Sequence, residues 1–562
     1  MTDGSTSSPG AGRLSRRAAL RLAGGGVVAA AVAGCGPGRP GPAASSADAV
    51  QTSASASAPA LMPTPGGGSA SAPVVSPSAS GGTGSVGPAD WDALAKDLQG
   101  TLVRPGDAAY PEASRLYQPQ FDTLRPSAVA YLAGAQDAVT CLAFARRYGV
   151  PIAPRSGGHS YAGWSGGPGL VLDVGRLNAV AASGGTATVG AGARLIDVYS
   201  GLAAQRLTVP AGSCPSVGVA GLALGGGVGV TCRAYGLTCD SLTGAEIVTA
   251  DGRIRQVSAT ADADLLWALQ GAGGGNFGVV TSLSLRTHPA VDCSYGFLSW
   301  PWSQAAQVVA AWQQWAPTAP DQLWSDLHLQ AWPDGRLEVA GTVNYLGAQG
   351  ELANLVDRLG VRPQSVALHS APYLQTMQVM GGVSGWTQEA AHLAGTLPGH
   401  SPQGRLARES YAARSDFYTR PIDQAGTAAL VAAVARYART APQGGSSSVA
   451  FDSLGGAVNR VRPTDTAFVH RSGLFLAQYI ANYASPGAGS GAGVDQSQAW
   501  LQDVWSTMRP YASGEAYQNY VDPHLADWEQ AYYGANAPRL RGIKRTYDPD
   551  GLFRFPQGIV AH

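Results

Sequence analysis

Two glycine-rich segments constrain the fold of this 562-residue chain more than any other feature. The first is RSGGHS at residues 155–160, and the second is GSCPSVGVAGLALGGGVG at residues 212–229. Glycine adopts positive φ angles and lets backbone N–H groups approach a bulky anion closely. Together the segments predict two walls of a site for a phosphate-bearing cofactor, with His159 on one wall and Cys214 on the other. Taken singly, a turn and a buried apolar cysteine are the alternative interpretations.

The charge balance and the cysteine pattern exclude other classes of function. Lysine plus arginine and aspartate plus glutamate number 37 each, so no basic face for nucleic acid is predicted. The six cysteines include no CxxC pair and no zinc-type spacing, so a metal site is not indicated. Cys232 and Cys239 could pair in an oxidising compartment, and the sequence does not decide whether they do.

The N-terminal region has the layout of an export signal. Ser15-Arg16-Arg17 precedes an alanine-rich stretch that ends at Ala33, which is typical of the twin-arginine route. That stretch is shorter than the roughly 20 apolar residues that a membrane span requires. Residues 32–35 (VAGC) resemble a lipoprotein-processing box with Cys35 as the lipidated residue, and a secreted protein cleaved nearby is the alternative. Residues 36–89 are so rich in Ala, Ser, Pro and Gly that they predict a linker without a core.

An alternation of strands and helices leads into the first glycine segment. Asp137 is predicted as the N-cap of a helix that stops at Gly149. The predicted elements are a strand at 128–132, a helix at 138–148 and a strand at 150–154. Further on, residues 245–254 predict a hairpin that turns at Asp251-Gly252.

These motifs, together with DLLWALQGAGGGNFGVVTS at 264–282 and FRFPQG at 553–558, resemble the berberine-bridge-enzyme-like FAD-linked oxidases of the vanillyl-alcohol-oxidase superfamily. The resemblance implies an α+β fold with a two-subdomain FAD-binding domain of the PCMH type at 90–290. A substrate domain at 291–515 is expected to be an antiparallel sheet covered by helices. Residues 516–562 are expected to return to the FAD domain.

The same resemblance implies which residues hold the cofactor. It makes His159 the residue bonded to the flavin 8α-methyl and Cys214 the residue bonded to C6. Val217 matches a position where a small side chain leaves room for oxygen, which favours an oxidase over a dehydrogenase. Leu222 departs from the family, which commonly has a histidine there. Further cofactor contacts are expected from Arg155, Ser156, Gly157, Gly158, Ser160, Gly218, Gly221, Gly226, Gly229 and Asn519.

Three residues are the catalytic candidates. Gln478 matches a position that is a glutamate base in some relatives, and a glutamine cannot take a proton. Tyr517 is therefore predicted as the base, with Asp452 accepting its proton or biasing it through a hydrogen bond. On a predicted strand at 517–522, Tyr517 and Asn519 would face the same side.

The favoured function is oxidation of a sugar or oligosaccharide at C1 to a lactone, with O2 as the acceptor and H2O2 as product. A tailoring oxidase for a polyketide, a glycosylated antibiotic or an alkaloid is the alternative. A flavin-free binding lipoprotein is a third class, against which intact His159 and Cys214 argue. The protein is expected to be a monomer whose contact with a membrane is limited to a lipid on Cys35.

Overall fold

The computed structural model describes residues 86–440, 445–483 and 491–562. The predicted export signal and nearly all of the predicted linker lie outside these residues. Within the described ranges, none of the helices has the length and apolar character needed to span a membrane.

The first sheet has four strands in the order β1-β2-β4-β3, of which β2, β3 and β4 are parallel. Every residue of β2 and β4 is buried, as a parallel sheet covered on both faces requires. The elements are α1 Pro88–Asp97, β1 Thr101–Val103, α2 Tyr110–Ala113, β2 Ala128–Tyr131, α3 Ala135–Tyr148, β3 Ile152–Arg155 and β4 Leu170–Asp173.

Helix α3 confirms the predicted stop and corrects the predicted start. Gly149 has a φ of 66° and ends the helix, as predicted. The N-cap is Gly134, not Asp137, which lies inside the first turn. The Asp137 carboxylate instead accepts N–H groups from Gln99, Gly100 and Ala133, so it fixes the chain that enters this sheet.

The second sheet has five antiparallel strands in the order β5-β6-β10-β8-β9. The hairpin β8–β9 turns at Asp251-Gly252 as predicted, with Gly252 at a φ of 79°. Its elements are β5 Val180–Ser183, β6 Thr186–Gly190, α4 Leu195–Ala203, β7 Leu207–Thr208, α5 Val219–Leu224, α6 Cys232–Tyr235, β8 Leu242–Thr249, β9 Ile254–Ser258, α7 Ala263–Leu269, β10 Gly278–Arg286 and β11 His288–Pro289, the last pairing with β7.

The third sheet has seven antiparallel strands in the order β15-β12-β14-β13-β17-β18-β16, which confirms the predicted antiparallel sheet. Its elements are β12 Cys293–Trp300, α8 Ala305–Trp315, β13 Leu323–Ala331, β14 Leu337–Tyr345, α9 Gln349–Asp357, β15 Ser365–Ala371, α10 Tyr373–Met380, β16 Tyr411–Tyr418, α11 Gln424–Thr440, β17 Ser446–Ser453, α12 Ala457–Arg460, β18 Phe475–Asn482 and α13 Ala492–Met508.

The two faces of the seven-stranded sheet differ in character. One face packs its apolar side chains, such as Leu327 and Phe451, against helices α8, α11 and α13. The other face carries polar side chains, among them Asp326, His328 and Gln478. Residues 327–330 (LHLQ) alternate as in a half-solvated strand, but all nine residues of β13 are buried. The polar face is covered by the flavin-binding part of the chain, which a local pattern cannot reveal.

Two buried arginines hold the sheet against the first half of the chain. Arg471 makes a bidentate ion pair with Asp240, with Nη2–Oδ1 and Nη1–Oδ2 distances of 2.6 and 2.9 Å. Arg233 donates to backbone carbonyls of Leu323, Ala319 and Leu454, which belong to segments of the sheet region. Fixed, charge-assisted bonds of this kind set the separation between the two regions.

The C-terminal segment returns to the glycine loop at 271–278. It contains α14 Trp528–Tyr533 and α15 Ala537–Tyr547. Lys544 donates to the carbonyl of Asn276 at 2.6 Å and pairs with Asp548 at 2.7 Å. The predicted strand at 517–522 is wrong, because this segment is a turn in which the N–H of Tyr520 donates to the carbonyl of Tyr517.

The possible disulfide between Cys232 and Cys239 is absent, because both cysteines are free thiols. Both are buried, and burial raises the pKa of the Cys232 thiol to about 12.

Candidate flavin and substrate site

A cavity of about 290 Å³ lies between the two glycine segments predicted from the sequence. His159, Cys214 and Tyr517 all line it, although they are far apart in the chain. Of the predicted site residues, those that line the cavity are Arg155, Ser156, Gly157, Gly158, His159, Ser160, Cys214, Val217, Gly218, Gly221, Tyr517 and Asn519.

Gly157 and Gly218 are packed back to back, so each must be glycine. A Cβ on Gly157 would lie 2.2 Å from the amide nitrogen of Gly218. A Cβ on Gly218 would lie 2.1 Å from Oγ of Ser156. This contact joins the RSGGHS turn to the cysteine-bearing segment and brings His159 and Cys214 to one cavity.

The backbone of the first turn is suited to an anion. The N–H groups of residues 157–160 donate to no carbonyl of the described chain, and Gly158 has a φ of 71°. Consecutive free N–H groups in a turn form a concave site for phosphate-like oxygens. Arg155 pairs with Asp173 at 2.5 Å, while its Nη1 is buried and has no partner among the described residues. The turn and this nitrogen fit the pyrophosphate of FAD.

A second pair of glycines leaves room for a flat group. A Cβ on Gly221 would meet nothing within 4 Å, and one on Gly274 would meet only the Cα of Gly221, at 3.8 Å. Both residues line the cavity, so their missing side chains make part of its volume. Gly226 and Gly229 have other roles, because they do not line it. A Cβ on Gly229 would lie 1.9 Å from the carbonyl of Ala211, and one on Gly226 would crowd Phe468.

The imidazole of His159 is held on the cavity wall. Its ring stacks on Tyr117 with centroids 3.9 Å apart, and its Nε2 lies 3.0 Å from Oγ of Ser216. Burial and then the charge of Arg194 lower the pKa of His159 to about 3. A neutral imidazole has a free lone pair, which is the form that can bond to an electrophilic carbon.

Cys214 is 6% exposed and lines the same cavity. Val217 is half-buried at the cavity surface, as expected for a residue beside the flavin. Leu222 stands where the family commonly has a histidine. Its backbone carbonyl accepts a hydrogen bond from Nδ2 of Asn519 at 3.0 Å.

The Tyr517 hydroxyl oxygen accepts three hydrogen bonds. The donors are the N–H groups of Gly227 at 2.8 Å and Val228 at 3.3 Å, and Nδ2 of Asn519 at 3.0 Å. Burial raises the pKa of Tyr517 to about 12, although these donors oppose the rise. Tyr517 is therefore a protonated donor at neutral pH, and its role as the base, predicted from the sequence, is not supported.

Asp452, rather than Tyr517, has the properties expected of a base. Its carboxylate is 1% exposed, and neither oxygen has a hydrogen-bond partner in the described chain. Burial and then the charge of Asp326 raise the pKa of Asp452 to about 7. The predicted hydrogen bond between Asp452 and Tyr517 is absent, because neither carboxylate oxygen of Asp452 has a hydrogen-bond partner in the described chain.

Asp452 and Gln478 lie on the polar face of the sheet, behind the cavity. Nε2 of Gln478 donates to the hydroxyl of Tyr161 at 2.8 Å. Tyr161 lines the cavity and stacks on Tyr520, with ring centroids 5.3 Å apart. Both tyrosines interact electrostatically with Asp452.

Three residues of this region were missed in the sequence. Asp326 and His328 occupy alternate positions of β13 and lie beside Asp452. The sequence signal for Asp326 and His328 is the alternation of polar and apolar residues in β13. The same alternation is typical of a strand with one solvent-exposed face. Tyr161 directly follows the RSGGHS turn, and nothing local distinguishes it from other tyrosines.

The cavity thus fits FAD by three independent observations: the free N–H groups of the turn, the unpartnered Arg155 nitrogen and the space above Gly221. Family models give the same assignment. Residues 126–258 match a model described as an FAD binding domain, and residues 516–560 match one described as berberine and berberine like.

Relatives in sequence extend over most of the chain. It is 33% identical to the FAD-linked oxidoreductase YgaK of Bacillus subtilis over 473 residues, covering 82% of this chain and 97% of that protein. It is 31% identical over 453 residues to the chitooligosaccharide oxidase of Gibberella zeae, covering 77% of this chain and 87% of the oxidase.

Solved structures show the same architecture. Wild-type BBE-like 1 of Physcomitrella patens superimposes with a TM-score of 0.74 at 27% identity, covering 84% of this chain and 99% of that one. A chitooligosaccharide oxidase gives a TM-score of 0.73 at 25% identity with the same coverage. The chain therefore belongs to the berberine bridge enzyme-like family of FAD-linked oxidoreductases.

Proposed function

We propose that this FAD-linked oxidoreductase is an exported oxidase that converts the C1 hydroxyl of a sugar or oligosaccharide to a lactone. The observation that carries the proposal is the single cavity on which His159, Cys214 and Tyr517 converge. The relative named chitooligosaccharide oxidase supports a carbohydrate as substrate. FAD, when bound, supplies the acceptor for a hydride from the substrate carbon and passes the electrons to O2, giving H2O2.

Two groups with well-separated pKa values divide the proton chemistry between them. Asp452, with a pKa of about 7, is the base that takes the hydroxyl proton, because a base works best when its pKa is near the working pH. Tyr517 stays protonated and donates its O–H to the substrate oxygen as negative charge develops there. The three N–H donors on its oxygen make that O–H a stronger donor.

Tyr161 lines the cavity and interacts electrostatically with Asp452, which supports it as the group that passes the proton between them. Its hydroxyl is fixed by Nε2 of Gln478, whose side chain cannot itself take up a proton. Gln478 thus fixes the hydroxyl of Tyr161, the group through which the proton reaches Asp452.

Export and attachment complete the proposal. The twin-arginine signal suits a protein that folds around FAD, and bonds to it, before it leaves the cytoplasm. A lipid on Cys35 would then hold the enzyme at the cell surface through the linker that ends near residue 89.

Anaerobic mixing with mono- and oligosaccharides tests the reaction. A sugar substrate should bleach the flavin absorption band, and readmitted air should restore it and produce H2O2, because Val217 leaves room for oxygen. A band that stays unchanged with every sugar would contradict the carbohydrate proposal and favour a tailoring oxidase. Bleaching that air does not reverse would contradict the oxidase assignment alone.

The double attachment is tested by removing each bonding residue. His159→Ala and Cys214→Ala should each keep the flavin colour in acid-precipitated protein, because one covalent bond remains. The double variant should lose all colour on precipitation. Cys141→Ala is the matched control, since Cys141 is a free buried cysteine of α3 outside the cavity. Complete loss of colour in either single variant would show that only one bond exists.

A further inference from the structure

Asp326 and Asp452 are direct partners across strands β13 and β17. Their side chains therefore project from the same face of the sheet, with Cβ atoms about 4.5–5.5 Å apart. Two carboxylates this close in a buried region repel each other, so one of them holds its proton more strongly than usual.

The hydrogen bonds identify which carboxylate that is. Oδ1 of Asp326 accepts the N–H of Thr342 at 2.5 Å, and Oδ2 lies 3.2 Å from Nε2 of His328. Asp452 receives no comparable bond from the described chain. The negative charge is therefore held on Asp326, and Asp452 is the carboxyl that takes up and releases a proton.

His328 adds a compensating charge beside the pair. Its ring is fixed from both sides, by Asp326 at Nε2 and by Oγ of Ser448, 3.4 Å from Nδ1. Burial lowers the pKa of His328, but the Asp326 carboxylate outweighs burial, and the net pKa is raised. A cation here opposes the effect of Asp326 on Asp452.

We propose that Asp326 and His328 are a positioning pair that sets the pH at which Asp452 exchanges its proton. The proposal rests on the proposed role of Asp452 as the base of the reaction. The negative charge of Asp326 raises the pH at which Asp452 exchanges its proton. The positive charge of His328 limits that rise, so the exchange stays near neutral pH.

The groups that face Asp452 leave few other sources of charge. Across from it lie Asp326 and His328 of β13, and Cys232 of α6 interacts with it from the flavin-binding side. Tyr161 and Tyr520 approach from the cavity. His328 is faced in addition by Glu338 of β14. Among these groups, His328 is the one that can carry positive charge.

Substitutions at His328 and at Asp326 should shift the pH of proton exchange at Asp452 in opposite directions. His328→Gln removes the cation, so the acidic limb of kcat/KM should move up by about 1 pH unit. Asp326→Asn removes the anion, so the limb should move down. The second shift should be smaller, because His328 without its carboxylate partner also loses its proton. Gln330→Ala, at the next position on the same face, is the uncharged control and should leave the limb in place.

A second measurement does not depend on turnover. Infrared titration of the substrate-free holoenzyme should show the carbonyl band of the protonated Asp452 carboxyl, identified by its loss in Asp452→Asn. That band should titrate at higher pH in His328→Gln and at lower pH in Asp326→Asn. If one of the two variants fails to fold, the direction in which the band shifts in the other variant tests the positioning pair.

The two measurements separate this inference from the proposed function. Shifts of the band in both predicted directions support the positioning pair, even where kcat/KM does not follow. In that case Asp452 is not the base, and its proposed role in the reaction is what fails. A band that neither His328→Gln nor Asp326→Asn moves overturns the positioning pair.

Discussion

Asp452→Asn is expected to lower kcat by about 10²- to 10⁴-fold while FAD remains bound. The amide keeps the shape of the side chain but cannot take a proton at neutral pH. Asp452 does not line the cavity, so the substitution removes no contact with the cofactor. Stopped-flow reduction with saturating sugar would measure the step directly, and the flavin-to-protein absorbance ratio would confirm loading.

Asp416→Asn is the matched control for this experiment. Asp416 is also fully buried on the same sheet, and burial raises its pKa to about 7 as well. It lies on β16 and pairs with Arg509, away from the cavity. Turnover should therefore be close to that of the unmodified enzyme. An Asp452→Asn enzyme as active as Asp416→Asn would remove Asp452 from the mechanism.

The pH dependence of stability separates lost chemistry from lost structure. The pKa of Asp452 is higher in the folded state than the value of about 3.9 expected in the unfolded chain. The folded state thus binds the proton more tightly, and the stability this gives is full below about pH 4 and is lost as the pH rises through about 7. Above pH 7, Asp452→Asn should raise the melting temperature while it lowers turnover. A fall in both would indicate misfolding.

The sequence predicted the cofactor walls because local chemistry determines them. Gly157 and Gly218 cannot carry a Cβ in this fold. The fold therefore requires glycine at both positions, and the glycines can be recognised in the sequence alone. The strand and helix before the first turn follow from apolar periodicity, and Gly149 marks the helix end. Residues whose identity is forced by the backbone are the ones that a single sequence can reveal.

The proton-handling residues were assigned less well because distant segments determine them. The segment at 517–522 alternates as a strand would, yet long-range bonds fold it into a turn. The N–H of Tyr517 donates to Oγ of Ser415 at 3.0 Å, and Nε2 of Gln557 donates to the carbonyl of Asp522 at 2.7 Å. The place of Asp326 next to Asp452 depends on a pairing between strands about 120 residues apart, for which no local pattern exists.

Tyr517→Phe is expected to reduce turnover by about 10²-fold or more, because one preorganised donor to a developing oxyanion contributes that much. FAD should stay bound, since the ring itself is retained. The variant should also lose about 1–3 kcal/mol of stability, because the N–H groups of Gly227 and Val228 would be buried without an acceptor. Denaturant unfolding and steady-state kinetics on the same preparation would measure both effects.

Tyr199→Phe controls for the loss of a buried tyrosine hydroxyl. Tyr199 is 4% exposed and does not line the cavity, and its hydroxyl donates to the carbonyl of Gly212 at 2.7 Å. Its loss should reduce stability by about 0.5–1.5 kcal/mol and leave kcat unchanged. Both variants should lose stability, but only Tyr517→Phe should also lose turnover. Near-normal turnover in Tyr517→Phe would mean that no O–H donor is needed at the substrate oxygen, and the proton would then be handled by Asp452 through Tyr161 without help from Tyr517.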